Sequence, residues 1–251
     1  DHVVVPMRVE LDPARRAVEI TIRDGQRVTL AEGQWSAWQP VTFSLGLFKK
    51  MKGLVRFHLV QAQPDLLLYA SPVNFDPREP FFPLSHPDGY AKEVAERIGL
   101  YYTQGMPNET WSLNEGRLTE AAFLARVAEI TAQKQQLFLS EVSRQRQGVV
   151  FAYFDALDVG QHMFWRCTDP SHPAYRPDGP YRDTIEALYL RMDELLGAVR
   201  AQCGPDDTLL VLSDHGFGAF RRAAHVNAWL RDRGYLALAD GAATGGELLK
   251  D

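Results

Sequence analysis

Val18, Ile20 and Ile22 alternate with Glu19, Thr21 and Arg23, the period of two that turns one face of a strand into a core. Asp24-Gly25 offers a turn before Val28 and Leu30, so the pattern predicts a β-hairpin. Val55, Phe57 and Leu59 repeat the alternation, and residues 66–69 form a short apolar run. A small antiparallel sheet is the expected product, with Trp35, Trp38 and Phe43 filling its interior. Pro77, Pro80, Pro83 and Pro87 exclude regular helix or central strand and predict an extended connector over 74–87.

The period then lengthens. Residues 89–98 predict a short helix. Thr119 is the expected N-cap of a longer one carrying Phe123, Leu124, Val127, Ile130, Leu137 and Phe138 at helical spacing. Between them Tyr101, Tyr102, Gly105, Pro107 and Trp111 read as an irregular aromatic loop. Further on, two continuous apolar runs stand out, VVFAYF at 149–154 and TLLVL at 208–212. Such runs read as strands buried on both faces, as in a parallel sheet. Tyr181, Ile185, Leu188, Tyr189, Met192, Leu195, Leu196 and Val199 form one helical stripe between them. The expectation is a right-handed βαβ unit with parallel strands at 149–154 and 208–212 and a helix over 181–201. The carboxyl ends of both strands would then share the sheet edge where open α/β sheets bind ligands.

Chemistry-bearing residues follow both runs. Asp158 and His162 stand four apart in LDVGQHMFWR, and Asp214 and His215 are adjacent in LLVLSDHGF. Asp oxygen and His nitrogen suit Zn²⁺, Mn²⁺ or Fe. A spacing of four lets Asp158 and His162 reach one ion from a turn or the first turn of a helix. Adjacent residues on an extended chain point apart, so Asp214 and His215 can share an ion only if the backbone turns, as Gly216 allows at little cost. Each pair by itself also fits an ordinary helix-capping or loop Asp beside a surface His. Their joint occurrence at one sheet edge is what favours a site.

Composition changes the picture little. The chain has 251 residues, 45% hydrophobic and 24% charged, ordinary for a globular protein with one or two cores. A net charge of -5 gives no electrostatic case for a nucleic-acid polymer as partner. No apolar run is long enough to span a membrane. Cys167 and Cys203 are too few for a disulfide framework or a thiolate metal cluster and read as reduced thiols. Localisation is left open, with the cytoplasm favoured. Because the chain opens at Asp1 without Met and ends near a small-residue stretch at 241–246, it reads as a piece of a longer protein.

LDVGQHMFWR, LLVLSDHGFGAFRR and HVNAWLRDRGYLAL together resemble the type I phosphodiesterase/nucleotide pyrophosphatase group of the alkaline phosphatase superfamily, over about residues 149–238. The first half is similar to the inserted region that some bacterial members carry. The resemblance implies two divalent metal ions, usually zinc, with Mn or Fe as alternatives: one held by Asp158 and His162, the other by Asp214 and His215. It also implies a Thr or Ser nucleophile and a further Asp ligand on segments preceding Asp1, and a third His well beyond the Asp-His-Gly motif. None of these three has a clear counterpart here. His225 in RRAAHVNAWL is the candidate for the additional ligand, against a plainer reading as a residue at the start of a helix. Arg221 and Arg222 are candidates for phosphate binding, against a solvated charge pair. Ser213 directly precedes a ligand and lacks a base or glycine elbow, so it is not read as the nucleophile.

The expected fold class is therefore α/β, an alkaline-phosphatase-like, partly parallel sheet with flanking helices, preceded by a β-rich and helical inserted region. The expected division is 1–147 for that region and 148–251 for a partial metallo-phosphohydrolase core. The expected function is metal-dependent hydrolysis of a small-molecule phosphate ester, completed by residues outside these 251. The alternative is a non-catalytic binding or assembly module that retains part of the core. Oligomeric state is left open.

Overall fold

The computed structural model describes residues 3–23, 25–46, 49–105, 107–219 and 221–237. They fall into two compact units, one ending at His215 and one beginning at Gly216. The first unit opens with eight strands: β1 (Met7–Asp12), β2 (Ala17–Ile22), β3 (Arg27–Ala31), β4 (Gln39–Ser44), β5 (Lys50–Val55), β6 (Phe57–Gln61), β7 (Leu67–Ala70) and β8 (Asn74–Phe75). Five helices follow: α1 (Tyr90–Ile98), α2 (Thr110–Asn114), α3 (Glu120–Arg144), α4 (Ala156–Thr168) and α5 (Thr184–Arg200). The fold is mixed α/β, and its described sheets are small and antiparallel, in the orders β1-β2-β3, β4-β5-β8 and β6-β7.

The predicted hairpin is β2–β3, with Val18 opposite Leu30 and Ile20 opposite Val28. Gly25 takes a φ of 81° at its turn, a conformation open to glycine without penalty, while Asp24 lies outside the described residues. Val18, Ile20, Ile22, Leu30, Val41, Val55, Phe57 and Leu59 form one buried cluster. The alternation thus selected the inward face correctly. Phe43 packs against this core. Trp35 and Trp38 do not fill it: Trp35 stacks on His58 at 4.6 Å and lies under the Arg126 guanidinium at 4.3 Å, and Trp38 meets Tyr102 and Arg56. Their flat faces bind cations at the seam between the sheets and α3.

Helix α3 begins where the side chain of Thr119 accepts a hydrogen bond from the Ala122 amide at 3.1 Å, the N-cap expected from the sequence. Its Phe123 and Val127 share a core with Ala156, Val159 and Phe164 of α4 and Ile185 and Leu188 of α5. That core therefore runs across the position 147/148 where a division was expected. Gly160 brings α4 close to α5, since a Cβ there would stand 2.2 Å from Leu188 Cδ1. The stretch read as an irregular aromatic loop contains one short helix, α2.

The expected βαβ unit is the main correction. Helix α5 forms within the predicted span, but neither 149–154 nor 208–212 is a strand, and no parallel pair occurs among the described residues. A parallel strand needs a neighbour along its ladder about 4.8 Å away, and no such ladder is present at either run. The side chains expected to be buried are accordingly exposed: Val149 87%, Phe151 81%, Leu210 74% and Leu212 83%.

The second unit, taken by itself, contains α6 (Val226–Asp232). His225 stands at the start of this helix, as its N-cap residue, in line with its plainer reading. The C-terminal turn of the helix is closed by Gly234 at φ 76°, with the Arg233 guanidinium over the Trp229 ring.

Candidate active site

Helix α4 starts at Asp155, which is 4% exposed and whose carboxylate caps no amide of its own helix. Lys134 Nζ of α3 donates to its Oδ1 at 2.5 Å, and Asn108 Nδ2 donates to its Oδ2 at 3.0 Å. These two bonds tie the amino end of α4 to α3 and to the loop before α2, which sets where the first turn of α4 points.

Asp158 lies in that first turn and His162 one turn later, a spacing that places both on one helix face. His162 Nε2 is 3.5 Å from Asp158 Oδ1. The 208–215 segment brings His215 to the same oxygen, with Nε2 3.7 Å from Asp158 Oδ1 and 3.6 Å from Asp214 Oδ2. The structure thus brings all four residues into one cluster, linked in the order His162, Asp158, His215, Asp214. The required turn at Asp214 is made by side chains: Ser213 Oγ donates to the His215 carbonyl at 2.6 Å, and the His215 amide donates to Asp214 Oδ1 at 3.1 Å. Gly216 keeps an ordinary φ, so its special freedom is not used.

Two residues at this cluster escaped the sequence reading. Tyr153 precedes α4, and partial desolvation, then the carboxylates of Asp158, Asp155 and Asp214, push its hydroxyl pKa up. Asp155 is the other. It closes the first apolar run as Asp214 follows the second, and that parallel position was a usable signal. The ion pair with Lys134 had none, because the partners are 21 residues apart.

Ligands bonded to one tetrahedral ion at about 2.0–2.2 Å are roughly 3.3–3.6 Å apart. The pairwise separations around Asp158 are close to that span, and the donor set is one that suits zinc. The convergence is incomplete, however: among the described residues no three His, Cys, Asp or Glu side chains meet at a point that could hold an ion. The cluster fits part of a coordination shell and not a closed one. In the second unit, His225 immediately precedes α6 and its carbonyl accepts from Trp229 N at 3.0 Å, while its side chain caps nothing. Arg221 and Arg222 are exposed there.

A family model described as type I phosphodiesterase / nucleotide pyrophosphatase matches residues 47–250, which take in both Asp/His pairs. No curated protein and no solved structure matches the chain. The family match implies an alkaline-phosphatase-like fold and supports phosphoryl hydrolysis as the function class. Because the match extends over more than three quarters of the residues, this chain belongs to the type I phosphodiesterase / nucleotide pyrophosphatase family.

Proposed function

We propose that the chain serves metal-dependent hydrolysis of phosphate esters, with Asp158 and His162 as ligands of one divalent ion and Asp214 and His215 as ligands of a second. The observation that carries the reading is the approach of His215 to Asp158 at 3.7 Å, which joins two motifs 52 to 57 residues apart in sequence into one acidic, imidazole-bearing cluster. Bound ions, zinc by the donor set and manganese or iron as alternatives, would supply Lewis-acid charge at the phosphoryl oxygens and activate the attacking oxygen. The chain's own part is to hold the acids and imidazoles. Asp155, anchored by Lys134 and Asn108, fixes the helix that presents Asp158 and His162. The Ser213 and Asp214 turn presents His215.

The reading includes a nucleophile from outside these residues. The Ser213 hydroxyl is committed to a backbone carbonyl, and the partial ligand set points to weak ion binding by the 251 residues alone. His225, Arg221 and Arg222 are assigned lesser roles, an additional ligand and phosphate donors respectively. The incomplete convergence of ligands also favours a second reading, a binding or assembly module without turnover.

The test is a hydrolysis screen with Zn²⁺ and Mn²⁺ against aryl phosphodiesters, monoesters and nucleotides. It compares the 251-residue chain with a longer chain carrying the expected upstream segment. The longer chain should be active and lose activity on chelation. Asp214→Ala or His162→Ala should lower its rate by roughly 10²-fold or more, since losing even a supporting partner of a ligand costs about 10–100-fold. His225→Ala should matter much less. Activity unchanged by Asp214→Ala and by chelators would overturn the metal assignment, and absence of turnover in the longer chain would favour the binding module.

A further inference from the structure

The connector that follows β8 and the start of β5 share a patch of surface that takes no part in the Asp/His cluster. Phe82 is 57% exposed, and its ring meets Phe75 at 5.9 Å and Phe81 at 4.8 Å, edge to face in both pairs. Lys49 Nζ stands over the Phe81 ring at 4.5 Å, and Lys52 Nζ is joined to Glu79 at 2.6 Å. The backbone ties strand and connector together as well, since the Asp76 amide donates to the Lys52 carbonyl at 3.3 Å. Pro80 and Pro83 bracket the two phenylalanines and fix φ on either side of them, so the exposed ring is presented with little backbone freedom left to lose.

Charge is unevenly placed here. The chain as a whole carries -5, yet this patch is positive. Glu79 neutralises Lys52, and Asp76 neutralises Arg78, each at 2.6 Å. Lys49 and Lys50 are left over, both exposed and without an ion pair among the described residues. An exposed aromatic ring beside two uncommitted ammonium groups fits a surface that is anionic outside and apolar a few ångströms deeper. A second copy of the chain fits poorly, because an isologous contact would set the same positive patch against itself. A nucleic-acid polymer supplies the anions, but two lysines neutralise too few phosphates to hold one.

We propose that this patch rests on an anionic lipid surface, with Phe82 at the boundary of headgroups and acyl chains and Lys49 and Lys50 among the headgroups. No described helix is long and apolar enough to cross a membrane, and the contact is peripheral. A lysine close to an anionic surface strengthens binding by about fivefold, so the pair supplies about 25-fold. Burying the exposed part of one phenylalanine adds about tenfold. A patch of this size binds more weakly than a single myristoyl chain, whose association constant is about 10⁴ M⁻¹. It therefore orients the chain reversibly on a surface and does not anchor it. The contact is independent of the metal assignment.

Vesicle flotation of the 251-residue chain at millimolar lipid tests it, with vesicles of equal parts phosphatidylcholine and phosphatidylglycerol against vesicles of phosphatidylcholine alone. The mixed vesicles should bind the chain about 25-fold more tightly, and the difference should shrink as salt is raised. Replacing Lys49 and Lys50 together by alanine should remove the preference for anionic lipid. Phe82→Ser should weaken binding to the mixed vesicles by about tenfold. Both variants should keep their fold, because the substituted side chains are exposed. Equal binding to both vesicles, or to neither, would overturn the proposal. So would binding that Phe82→Ser leaves unchanged, the result expected if the exposed runs at 149–154 and 208–212 carried it. A Phe82-dependent dimer in sedimentation without vesicle binding would assign the patch to a second copy and overturn it as well.

Discussion

Gly160→Ala tests whether the contact between α4 and α5 sets the position of Asp158 and His162. A Cβ at residue 160 would stand 2.2 Å from Leu188 Cδ1, about 1.3 Å inside the shortest comfortable carbon contact of roughly 3.5 Å. Leu188 is itself buried in the shared core with Ile185 and Phe164, so it has little room to rotate away. Overpacking of this kind destabilises by about 1–3 kcal/mol, whereas replacing glycine by alanine inside a helix stabilises by about 1 kcal/mol. The net expectation is a loss of about 0–2 kcal/mol, or a few degrees of melting temperature at about 2–4 °C per kcal/mol. The decisive measurement is a double-mutant cycle by urea denaturation. In a Leu188→Ala background the clash is gone and only the propensity gain remains, so the same substitution should become stabilising by about 1 kcal/mol. The coupling should lie in the range of about 1–3 kcal/mol expected for contacting residues. If Gly160→Ala stabilises equally in both backgrounds, the close approach of the two helices is refuted.

Thr119→Ala should cost about 1 kcal/mol by leaving the Ala122 amide without its side-chain acceptor, read as a lower denaturation midpoint at unchanged slope; no shift would mean that water replaces the cap. His58, 2% exposed and bonded through Nδ1 to the Gln34 carbonyl at 2.9 Å, has its pKa lowered by burial first, against a smaller upward push from that hydrogen bond. The unfolded chain therefore binds the proton more readily, and the neutral ring contributes stability that is fully present above the unfolded value of about 6.5 and is lost as pH falls toward the lower folded value. Denaturation midpoints followed below about pH 6.5 should fall more steeply for the native chain than for His58→Phe, and parallel curves would contradict this.

Patterns of short period carried a large part of this protein. The β2–β3 hairpin, the inward face of Val18, Ile20 and Ile22, the Thr119 cap and the helical stripe of α5 all follow from interactions between residues near in sequence, and each was legible without coordinates. The Asp158/His162 pair was legible for the same reason, because four residues are one helical turn. The two apolar runs were misread. Hydrophobicity reports what a segment is suited to contact, while strand formation needs a second strand to supply the ladder, and no such partner stands beside 149–154 or 208–212 among the described residues. Only the tertiary structure decided that His215 reaches Asp158, that Lys134 and Asn108 anchor Asp155, and that Trp35 and Trp38 pave the seam around Arg126 and Arg56 rather than the sheet core. These contacts join residues tens of positions apart, and their partners are selected by how the sheets pack on α3, a choice that no local spacing encodes.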